Sequence, residues 1–61
     1  MQLYSRVRLV TDRFRSEGVE PGDLGYIIEM FDEDAFEVEF SDANGITIAL
    51  IVARHDEITL C

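Results

Sequence analysis

With one histidine and one cysteine, the residues able to do acid–base, nucleophilic or metal chemistry can be taken one at a time. His55 precedes Asp56, and a His–Asp pair can orient a general base. Sequence neighbours on a strand or turn point apart, however, and no serine stands near, so the pair reads as part of a turn. Cys61 is the last residue, too mobile for a catalytic thiol. A single cysteine forms no disulfide within the chain, and with His55 it falls short of a four-ligand zinc site. Asp32-Glu33-Asp34 and Asp42-Ala43-Asn44-Gly45 carry the oxygens that calcium takes. Neither has the alternating ligands, sixth-position glycine and twelfth-position glutamate of an EF-hand loop, so both read as solvated turns. Gly18, Gly22 and Gly25 lack the lysine and the following helix of a phosphate loop. No catalytic residue, metal site or cofactor is expected.

The charges are more informative. Five arginines, no lysine and thirteen acids give the 61 residues a formal charge of −8. Residues 1–15 hold Arg6, Arg8, Arg13 and Arg15 against Asp12 alone, whereas residues 16–61 hold Arg54 against twelve acids. A negative field repels a phosphate backbone, which argues against nucleic acid and for a basic protein partner. Glu29, Glu37 and Glu39, outward on two strands that should pair, make an acidic face that Asp32, Glu33 and Asp34 continue at the turn. Like charges opposite one another on a sheet are destabilising, so the cluster is either a solvated face or a docking surface for cations. Arg6 and Arg8, with Tyr4, make a basic stripe expected to pair with the chain's own acids.

The elements that must position these groups follow from apolar spacing. Leu3 to Val10 alternates, with Leu3, Val7 and Leu9 on one face, and reads as a strand. Thr11 to Asp23 reads as a long loop, in which one short helical turn would carry Phe14 inward and stop at Gly18. Glu20-Pro21-Gly22-Asp23 has the proline and glycine of a type II turn. Leu24 to Phe31 is a second strand, curved, with Gly25 marking a bulge or a close backbone approach. Phe36-Glu37-Val38-Glu39-Phe40 alternates cleanly as a third, and Asp42-Ala43-Asn44-Gly45 is a hairpin signal. Ile46 to Val52 is a fourth strand, apolar on both faces, and Glu57 to Leu60 a fifth, after a connector that fits one 3₁₀ turn.

At 48% hydrophobic, the chain should fold, as a single domain over residues 1–61. Its longest apolar run, Ile48 to Ala53, is far below the roughly 20 residues that span a bilayer, and no signal peptide is evident, so a cytoplasmic protein without a membrane partner is expected. Five short bent strands in this length fit an all-β fold, a five-stranded antiparallel small barrel. The expected core is Leu3, Val7, Leu9, Leu24, Ile28, Met30, Phe36, Val38, Phe40, Ile48, Leu50, Ile58 and Leu60. Tyr26, Ile27, Ala49 and Ile51 then fall on nominal outer faces, which either follows from barrel bending or leaves a surface on strands two and four for a homodimer.

In order along the chain, Val7-Arg8-Leu9, Pro21-Gly22-Asp23-Leu24-Gly25, Glu37-Val38-Glu39-Phe40, Asn44-Gly45 and Thr47-Ile48-Ala49-Leu50 resemble a family of small bacterial proteins described as a domain of unknown function. The Gly22-Asp23-Leu24-Gly25 step is also similar to Src-homology-3-like barrels, including KOW modules and the barrel of the nitrile hydratase beta subunit. The resemblance implies that fold and no activity. It further implies an accessory protein of the toxin–antitoxin or immunity kind. The expected function is a non-catalytic protein-binding module, an antitoxin or immunity-type inhibitor, with Glu29, Asp32, Glu33, Asp34, Glu37 and Glu39 docking on a basic partner. The alternatives are a structural or assembly subunit of a larger enzyme and a KOW-like nucleic-acid accessory domain.

Overall fold

Alternating β-branched and aromatic residues fold into five antiparallel strands. In the computed structural model, which describes residues 1–61, these are β1 (Arg6–Leu9), β2 (Leu24–Met30), β3 (Ala35–Ser41), β4 (Thr47–Arg54) and β5 (Ile58–Leu60). They form one sheet in the order β4-β3-β2-β1-β5, and the only helical elements are single 3₁₀ turns at Arg15–Glu17 and His55–Glu57. This all-β architecture is consistent with the expected small Src-homology-3-like barrel. No helix is long and apolar enough to cross a membrane.

Turn chemistry sets the connections. Gly22 has φ 98° and the Asp23 amide donates to the Glu20 carbonyl at 3.0 Å, closing the turn that proline and glycine predict. The β3–β4 hairpin closes through Gly45 N–H to the Asp42 carbonyl, with Gly45 at φ 80°. The Asp42 Oδ1 accepts from the amides of Asn44 and Ile46 at 2.8 and 3.0 Å, so the aspartate holds the loop that the glycine permits. Between β1 and β2, the 3₁₀ turn stops at Gly18 with φ 93°, and Phe14 and Val19 on either side are buried. Two apolar anchors therefore hold the long loop to the barrel.

The core is Val7, Leu9, Phe14, Val19, Ile27, Phe36, Val38, Phe40, Ala49, Ile51, Ala53 and Ile58. Val7, Leu9, Phe36, Val38, Phe40 and Ile58 are as expected; strands β2 and β4 show their opposite faces to it. Leu24, Met30, Ile48 and Leu50 are exposed, and Ile28 is half-buried. Two causes are visible. At position 25 an added Cβ would lie 2.7 Å from the Glu39 carbonyl oxygen and 2.9 Å from Val38 Cγ1, so Gly25 faces inward and Ile27 follows it. On β4, Phe36 stands opposite Ala53 and Phe40 opposite Ala49, and phenylalanines on one strand leave room only for small residues on the next. Leu60, opposite Val7 at the end of the edge strand, is 56% exposed. Leu3 lies outside β1, in a turn that Ser5 N–H closes onto Gln2 and in which Tyr4 has φ 67°, and it too is exposed.

Candidate functional site

The outward face of β2 and β3 collects the acids. Glu29 stands directly opposite Glu37, and Glu39 lies opposite Tyr26 on β2 and opposite Leu50 on β4. The register of β2 against β3 shifts between Ile27 and Glu29, so Ile28 is the extra residue of a bulge. That bulge turns Glu29 to the same side as Glu37; straight alternation from an inward Ile27 would have buried it. Glu39 Oε2 accepts from Thr47 Oγ1 at 2.8 Å, which fixes one carboxylate against β4. Glu29 Oε1 accepts only from the adjacent Met30 amide, at 3.2 Å.

At the β2–β3 turn the three acids do different things. Asp32 Oδ1 accepts from the Asp34 amide at 2.7 Å and shapes the turn. Asp34 accepts the His55 amide on both its carbonyl, at 3.2 Å, and its Oδ1, at 3.3 Å, which ties the turn to the 3₁₀ segment before β5. Glu33 is exposed and makes no hydrogen bond. All six expected docking residues therefore belong to one hairpin, with Glu29, Glu33 and Glu37 the carboxylates least committed to the fold.

Arginine is distributed differently from the expectation. Arg6 and Arg8 lie on the same outer face, opposite Tyr26 and Leu24, and neither forms an ion pair. The ion pairs belong to the loop, as Arg13 with Glu57 and Arg15 with Glu20. Arg13 Nε and Nη2 donate to the two Glu57 oxygens at 2.6 and 2.9 Å, its guanidinium lies 4.2 Å from the centre of the Phe14 ring, and its Nη2 also reaches the Val52 carbonyl at 3.4 Å. Glu57 Oε1 in turn accepts the Arg54 amide. The hydrogen bonds from Arg13 hold the Glu57 carboxyl below the usual carboxylate range, against the opposing effect of burial, and the Arg13 guanidinium is raised by the same bonds. Sequence reasoning missed this latch because its halves lie 44 residues apart.

The structure does not bring the other chemistry-bearing residues together. His55 packs its ring 6.4 Å from that of Phe36, and Cys61 is exposed at the chain end. No three His, Cys, Asp or Glu side chains cluster closely enough to hold a metal ion. A cleft of about 380 Å³ lined by Leu24, Phe40 and Ile48 opens beside the outer face, and Ile48, Leu50 and Val52 along β4 are each about half exposed. Thus one broad surface runs from Arg6 and Arg8 on β1, across Tyr26 and the glutamates, to an apolar strip on β4.

Residues 3–60 match the family described as a domain of unknown function, DUF4926. The chain belongs to this family. No curated protein and no solved structure is detectably similar to it. Membership of DUF4926 by itself assigns no activity to the chain.

Proposed function

We propose that this DUF4926 member is a non-catalytic protein-binding module of the antitoxin or immunity-inhibitor kind. It acts in the cytoplasm and docks the acidic outer face of β2 and β3 on a basic protein partner. The observation that carries this reading is the pairing of Glu29 with Glu37, two like charges held opposite one another, neither of them in an ion pair. Such a pair weakens the free protein, and a cation from a partner relieves the repulsion on binding. Tyr26 beside Glu39 adds an aromatic side chain of the type that anchors protein interfaces.

A tagged copy of the chain in its native lysate tests the reading. One dominant basic partner, captured at low salt and released as salt rises, is the expected result, and capture falls sharply when Glu29, Glu37 and Glu39 are replaced by lysine. Undiminished capture by the triple variant would refute the docking face. The half-exposed strip of Ile48, Leu50 and Val52 favours one alternative, a structural or assembly subunit of a larger enzyme. That role predicts a partner retained at high salt and insensitive to the three glutamates.

A further inference from the structure

The two edges of the sheet are unlike. β5 is three residues long, whereas β4 runs for eight, and from Asn44 to Ala53 the chain has neither a charge nor a proline. Soluble proteins ordinarily blunt a long sheet edge with charge, proline, a bulge or a covering segment. On β4 the register against β3 shifts once, with Ile48 the extra residue, and from Ala49 to Arg54 the pairing is regular. Here Arg13 reaches the edge at the Val52 carbonyl alone, and a carbonyl keeps a second lone pair. In an antiparallel ladder the N–H and C=O of each residue face one flank and alternate along the strand. Since the Val52 carbonyl faces away from β3, so do the Val52 N–H and both backbone groups of Leu50, and of these four groups only the Val52 carbonyl is met, by Arg13.

We propose that β4 pairs antiparallel with β4 of a second copy of this chain, about a twofold axis at Leu50, making a dimer with a continuous ten-stranded sheet. The register is self-complementary. Leu50 meets the partner's Leu50, and Ile48 meets the partner's Val52, so three half-exposed apolar side chains from each copy cover one another. Charge selects the same strand. Two copies of a chain with net charge −8 repel, and the uncharged stretch of β4 is where they meet without setting carboxylates face to face. The glutamates of β2 and β3 stay uncovered, so this inference is independent of the proposed partner.

Sedimentation equilibrium of the full chain at low and high salt tests the proposal. The expected result is a species of twice the mass of one chain, whose association tightens as salt screens the net repulsion, the opposite of the dependence on a basic partner. Leu50→Asp sets two carboxylates together at the axis and weakens the dimer at least about 100-fold. Leu50 lies outside the core, and an unchanged far-UV circular dichroism spectrum shows that the variant folds. In a Cys61→Ser background, Leu50→Cys cross-links to its own copy through a short bis-maleimide, each thiol adding to one maleimide ring, while Glu17→Cys does not. A wild-type chain that stays monomeric up to about 1 mM in high salt overturns the proposal. So does a dimer that survives Leu50→Asp, or a Leu50→Cys chain that fails to cross-link.

Discussion

If Glu29 and Glu37 repel across the ladder, then Glu29→Lys should make the free protein more stable while damaging its binding. Residues directly opposite on a sheet carry their Cβ atoms roughly 5 Å apart, and at that separation two unit charges in water interact by about 0.8 kcal/mol. Reversing one sign therefore swings the pair by at most about 1.6 kcal/mol, and measured cross-strand pairs fall at the lower end, so a gain of about 0.5–1 kcal/mol is expected. The 3.2 Å bond from the Met30 amide to Glu29 is lost, but it is exposed and long, and offsets little of the gain. For a domain of this size each kcal/mol moves the thermal midpoint by about 4–8 °C, so the transition should rise by about 2–8 °C at low ionic strength. Most of that rise should vanish near 1 M salt, where the screening length is about 3 Å. Glu17→Lys, on the 3₁₀ turn of the loop, changes the net charge equally and is the control. A variant that melts at or below the wild-type temperature in low salt, or a gain that Glu17→Lys reproduces, would refute the argument from local repulsion.

Gly25→Ala should cost about 1–2 kcal/mol, because the new Cβ meets the Glu39 carbonyl at 2.7 Å and that backbone is fixed by its own ladder; urea unfolding should show the midpoint falling by about 1–2 M, and an unchanged midpoint would mean β2 and β3 do not approach as described. Glu57 has a folded pKa below the ordinary value of 4.5, so its bond to Arg13 stabilises the protein in full at neutral pH and is lost as pH falls through the folded value. Thermal midpoints of wild type and Glu57→Gln should therefore differ at pH 7 and converge in acid, and a constant difference would exclude the latch as the cause. At neutral pH the same variant should be cut faster by trypsin after Arg13 and Arg15, as the loop loses its tie to the barrel.

Some of this protein is written locally, and some is not. Turn residues act within a few bonds of themselves, so Pro21-Gly22 and Asn44-Gly45 mark their turns without outside help, and Phe36, Val38 and Phe40 alternate too cleanly to face elsewhere. The number of strands, their order in the chain and the outward glutamates are legible on the same grounds. The faces of β2 and β4 are not, because both carry apolar residues on each side and hydrophobicity cannot choose between them. Volume chooses: the phenylalanines of β3 admit only Gly25, Ala49 and Ala53 beside them, and the larger Leu24, Ile48 and Leu50 are left outside. The outward position of Glu29 emerges from the sequence only because two departures cancel. β2 begins on the opposite face from that expected, and the bulge at Ile28 reverses it before Glu29. The Arg13–Glu57 latch and the free edge of β4 depend on which distant segments the barrel brings together. Composition and spacing thus determine an acidic, all-β chain with defined turns, whereas the surface it offers a partner is decided by close packing against β3, a contact between strands that no single strand encodes.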